Sequence, residues 1–130
     1  MANDDARVER IYALTRQIER LRIAATKELN QIEERRAGQA RAAEAKARSQ
    51  LLIAARYTPG GLGVDLKLPV EEIFKRAKRL PRVREIHAWY LRSLKRINDS
   101  FKVERQKIRI EHESAIKSAE AKIDQLFSVA

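Results

Sequence analysis

Nine basic residues crowd into one short stretch: Lys75, Arg76, Lys78, Arg79, Arg82, Arg84, Arg92, Lys95 and Arg96. The only acid among them is Glu85, so these 22 residues carry +8 of the chain's net charge of +10. The rest of the chain holds 19 basic and 17 acidic residues, which nearly cancel. Ammonium and guanidinium groups at this density suit phosphate oxygens, which they meet through charge and hydrogen bonds. Trp89, the single tryptophan, lies in the same stretch. Its ring would offer a surface on which a base can stack.

Catalytic chemistry is not legible. His87 and His112 are the only histidines, 25 residues apart on one helical stretch, too far to share a site. The pairs Glu33-Glu34 and Glu71-Glu72 are adjacent in sequence, so their carboxylates do not face one another on a helix. Gly60-Gly61-Leu62-Gly63 is glycine-rich, but no strand precedes it and no Gly-Lys-Ser/Thr follows, so it reads as a turn and not a phosphate loop. There are no cysteines, which removes disulfides and thiolate metal sites. No catalytic residue, metal ligand or cofactor is expected. The N-terminus, Met1-Ala2-Asn3-Asp4-Asp5, lacks the apolar core of a secretory signal. No run approaches the ~18 apolar residues of a membrane span.

The elements that must position the basic residues follow from glycine, proline and periodicity. Three of the four glycines and two of the three prolines fall between Tyr57 and Pro69. Glycine tolerates positive φ and proline lacks a backbone donor, so this stretch cannot continue a helix. On either side apolar residues recur every eleven positions. Ile18, Leu29, Ala40 and Leu51 form one such row, and Leu21, Ile32, Ala43 and Ala54 another. Beyond the turn, Ile86, Ile97, Ile108 and Ala119 repeat the spacing, as do Tyr90, Phe101, His112 and Ile123. A period of eleven is 3.67 residues per turn, close to a straight helix. Asn3, Asp4 or Asp5 can cap the first helix. Pro81 suits the first turn of the last one. His112 falls on the seam and reads as a polar core position.

Three expectations concern packing. The small residues Ala40, Ala43 and Ala47 should face bulky ones from around Ile97, Phe101 and Val103. Val70, Ile73, Phe74, Ala77 and Leu80 give a short helix one apolar face, which should fold onto Leu51, Leu52, Ile53 and Tyr57. Ile23, Val103 and Ile110 fall off the seam. In the turn, Leu62, Val64, Leu66 and Leu68 alternate with polar residues or glycine. That alternation resembles a short extended strand over Val64–Leu68, able to pair with the sheet edge of a partner.

Advancing the last helix by about 100° per residue places Val83, Ile86, Tyr90, Leu94 and Ile97 in one arc about 80° wide. Arg84, Arg92, Lys95 and Arg96 fall on the opposite side. Arg82 lies at the edge, with Trp89 between it and Arg96. A solvated helix back usually mixes both signs of charge, as this chain does elsewhere. Here it lacks acids.

The sequence therefore predicts an all-α single domain: an antiparallel helical hairpin of two long coiled-coil-like helices, 5–56 and 82–127. A Gly/Pro turn, 57–69, and one short helix, 70–80, form its tip. The expected role is non-enzymatic, a structural or assembly component contacting DNA or RNA without sequence readout through residues 75–96. Other protein subunits, including further copies, are expected partners, within the cytoplasm or a nucleoprotein or virion-like particle, and no membrane is. The alternative is a protein-only coiled-coil adaptor or scaffold docking through its turn.

Overall fold

With no proline and a single glycine to interrupt it, the first stretch forms one helix, α1, Ala2–Tyr57. The computed structural model describes residues 2–128, with side chains from residue 4 onward. Asp4 and Asp5 lie in the first turn of α1, where negative charge suits the helix dipole. The side chain of Asn3, the other capping candidate, lies outside the described residues. At the far end the Thr58 hydroxyl donates to the Ala54 carbonyl at 2.7 Å, and Gly61 N–H closes a turn onto Thr58 O at 2.9 Å. Gly60, Gly61 and Gly63 take φ of 78°, 73° and 74°, the left-handed region that requires glycine.

Helix α2, Val70–Arg76, begins at Pro69, whose carbonyl accepts from Glu72 and Ile73 N–H. It is shorter than the expected 70–80. Pro81 disfavours helical backbone at Leu80 and has no N–H to extend the ladder. Residues 77–80 therefore make a turn, closed by Leu80 N–H on Ala77 O at 3.1 Å. Helix α3, Pro81–Ser128, starts at that proline. No strand occurs among the described residues, and α1 and α3 pack against each other as a helical hairpin.

Packing divides into two units. In Glu34–Phe101, Lys46 lies over Trp89, Arg36 donates to Asn98 at 3.3 Å, and the Arg35 guanidinium sits 5.7 Å from the Phe101 ring centre. In the unit of Met1–Glu33 and Lys102–Ala130, Glu33 pairs with Arg105, Glu28 with His112 and Arg22 with Glu120. In both, positions descend along α1 as they rise along α3, so the helices run antiparallel.

The Glu34–Phe101 unit holds one apolar cluster. Ala43, Ala47, Leu51 and Ala54 of α1 meet Val70, Ile73 and Phe74 of α2 and Val83, Ile86 and Tyr90 of α3, with Leu62 and Ala77 from the turns. Six of the bulkiest fully buried side chains are here: Phe74, Leu51, Ile73, Ile86, Val70 and Val83. The other unit buries Leu14, Ile18, Ile32 and Ala119.

Three packing expectations need correction. The alanines Ala43 and Ala47 share their cluster with Tyr90 and Ile86, and of the three bulky residues expected near them only Ile97 packs against it; Phe101 is level with Arg35, and Val103 is 70% exposed. Tyr90 and Phe101 are eleven residues apart on one seam. A repeat of eleven presents the same face after a slide of one repeat, so it leaves the register open. Helix α2 and its turn fix it. Next, at the α1 terminus Leu51 and Ala54 are buried and Ala55 packs partly buried against the cluster. Leu52, Ile53 and Tyr57 are exposed, because successive helical residues point about 100° apart. Finally, Val64–Leu68 is a turn and not a strand. Asp65 Oδ1 accepts from Lys67 N–H at 2.9 Å and Asp65 O from Leu68 N–H at 3.3 Å, local bonds that compete with extended backbone.

Candidate nucleic-acid interface

The Glu34–Phe101 unit contains 16 basic and 7 acidic residues, +9 of the chain's +10, while the remaining residues hold 12 and 11. Its basic segment is built on α2, the 77–80 turn and the first turns of α3. Lys75 and Arg76 end α2, Lys78 and Arg79 lie in the turn, and the others stand on α3. All nine side chains are exposed.

The core arc predicted for α3 is observed. Val83, Ile86 and Tyr90 are buried, and Leu94 and Ile97 pack partly buried against the same cluster. Arg84, Arg92, Lys95 and Arg96 are held outward as a consequence. Arg76 pairs with Glu72 at 3.4 Å and Arg82 with Glu85 at 3.0 Å. Lys75, Lys78, Arg79, Arg84, Arg92, Lys95 and Arg96 form no ion pair among the described residues. Seven cations on one unit thus stay available to an external anion.

The rings of this region turn inward. Trp89, expected as a stacking surface at the margin of the basic face, is half-buried against the core, with the Lys46 ammonium 5.2 Å from its ring centre. Two features produce this. Trp89 lies near the edge of the core arc, and α1 brings Lys46 beside it, a cation–π contact across the hairpin. Lys46 is 43 residues away in sequence, so no local pattern signals it. His87 stacks on Phe74, with centroids 4.5 Å apart and planes at 17°. Phe74 also meets Tyr90 at 5.6 Å.

Tyr90 donates its hydroxyl to Glu71 Oε1 at 3.1 Å. Burial, followed by the hydrogen bond and charge of Glu71 and the charge of Glu44, pushes this hydroxyl from 10.0 up to about 12. These contacts fasten α2 to α3 at two positions three residues apart on each helix, 71 and 74 against 87 and 90. The basic residues of both helices are thereby carried on one packed support.

The turn is also anchored. Arg48 of α1 donates to Leu66 O at 2.7 Å. Leu62 is 8% exposed, and Val64, Leu66 and Leu68 pack partly buried against the core. These four residues, expected to face a partner, are therefore engaged within the chain. The apolar/polar alternation is genuine, but its apolar side closes over α1 and α2. Ile23 and Ile110, read as off the seam, are exposed at 69% and 60%.

His112, read as a polar core position, is half-buried and not part of the buried core. Its Nε2 lies 3.2 Å from Glu28 Oε2, and its side chain is 15% exposed. Among the described residues no group of three or more His, Cys, Asp or Glu side chains is placed to hold a metal ion. No helix there is long and apolar enough to cross a membrane. No protein-family model matches this sequence, and neither a curated protein nor a solved structure matches it.

Proposed function

We propose that this chain is a non-enzymatic helical-hairpin protein that contacts nucleic acid through the basic residues of α2, the 77–80 turn and the start of α3. It would serve as a structural or assembly component of a nucleoprotein or virion-like particle. The observation that carries this reading is the set of seven exposed, unpaired cations on a unit of net charge +9. A surface meant only to be solvated mixes signs, as the other unit does. Phosphate contacts give affinity without sequence information, so binding would be largely indifferent to sequence.

Electrophoretic mobility shift with the full chain tests it. Binding should fall steeply with salt, because each neutralised phosphate releases counterions. Changing Arg79, Arg82, Lys95 and Arg96 together to Glu should abolish it, while circular dichroism stays helical because all four are exposed. Salt-insensitive binding, or an unaffected quadruple variant, sinks the proposal. The reading as a protein adaptor docking through the turn is less favoured, since Leu62 is buried and Val64, Leu66 and Leu68 pack partly buried against the core.

A further inference from the structure

We infer that the basic surface takes double-stranded rather than single-stranded nucleic acid. This rests on the nucleic-acid reading above and adds the class of ligand. Proteins that hold single strands without sequence preference combine a basic groove with exposed rings, and each stacked base strengthens binding by roughly tenfold. Here the rings are spent inside. Phe74 and Tyr90 are 2% and 4% exposed, His87 stacks on Phe74, and Trp89 carries Lys46 over its face. Phe101 is buried as well. Within Glu34–Phe101 the one exposed aromatic side chain is Tyr57, at 79%, and it lies outside the basic segment.

Cations without rings read charge density alone. A duplex carries one negative charge per about 1.7 Å of axis, whereas each strand contributes one per about 3.4 Å. The support also favours a stiff ligand. Arg84 and Lys95 are eleven residues apart on the exposed back of α3, roughly 16 Å along its axis, and Arg92 and Arg96 lie one turn apart. A flexible strand laid along such a helix must give up conformational freedom, which weakens its binding. The helix can lie against a duplex, which stays straight over about 150 base pairs and so over any contact of this size.

Fluorescence anisotropy decides it, with the full chain, a short labelled duplex and each of its strands separately, at low and near-physiological salt. The duplex should bind at least about tenfold tighter than either strand. Tyr57→Ala should leave both affinities unchanged. Strands bound as tightly as the duplex would overturn the inference, as would a several-fold loss of strand binding in Tyr57→Ala. If neither duplex nor strand binds, the nucleic-acid reading itself fails, and this inference with it.

Discussion

The Tyr90 hydroxyl donates to the Glu71 carboxylate at 3.1 Å, joining the middle of the α2–α3 contact at its polar edge. The ring beneath is 4% exposed and packs on Phe74. One side chain thus belongs to both the apolar cluster and the hydrogen bond that bounds it.

This bond predicts alkaline instability. Unfolded, the Tyr90 hydroxyl ionises near 10.0; folded, it holds its proton to about 12. Between those values the unfolded chain has already lost a proton that the folded chain keeps, so rising pH favours unfolding. The contribution is complete below pH 10 and is lost by about pH 12, on the order of 2 kcal/mol. Denaturant titrations across that range should show the decline, and Tyr90→Phe should flatten it. At neutral pH the same variant should cost about 1 kcal/mol, the net value of one hydrogen bond.

Overpacking the alanine layer tests the register. Ala47 is fully buried in the cluster that holds Ile86 and Tyr90. Ala47→Leu should destabilise the chain by about 1–3 kcal/mol in urea unfolding. Ala43→Glu, which buries a charge in the same layer, should cost more. A neutral Ala47→Leu would mean that this layer is looser than the packing indicates.

Glycine replacements should split by sign. At Gly60, Gly61 and Gly63 a Cβ meets nothing within 4 Å, yet φ is positive, so Ala there should cost about 1–2 kcal/mol through backbone strain alone. At Gly38, inside α1, a Cβ would approach only Arg41 Nη2 at 4.0 Å. Gly38→Ala should therefore stabilise by about 1 kcal/mol. Thermal melts of the four single variants check both signs.

The absence of cysteine makes a crosslink unambiguous. Ile18 is buried on the α1 seam and Ile123 half-buried on the α3 seam, within the same unit. Ile18→Cys with Ile123→Cys should oxidise within one chain, read as a monomer of altered gel mobility. A disulfide-linked dimer as the main product would show that the seam closes between chains instead.

The helices and their buried faces were legible because each depends on local pattern. Pro81, the glycine turn and the eleven-residue rows mark α1 and α3 to within a few residues. Register was not legible, because Tyr90 and Phe101 are equivalent under the same repeat and only the intervening segment chooses between them. The outward cations were readable as the complement of the core arc. The inward packing of Trp89 is not legible, because its neighbour Lys46 comes from the other long helix. The packing of Leu62, Val64, Leu66 and Leu68 on the chain's own core is not legible, because alternation tells which residues share a side, not what that side meets.

The unpaired cations also act on the fold that carries them. Like charges held on one support repel, and that repulsion opposes the compact state whenever nothing neutralises it. The apolar cluster beneath α2 and α3 must hold against this push. A bound polyanion would relieve it and add its own binding energy, so occupancy and melting temperature would rise together. On the nucleic-acid reading, resistance to heat in this molecule becomes in part a gauge of how well its surface is neutralised.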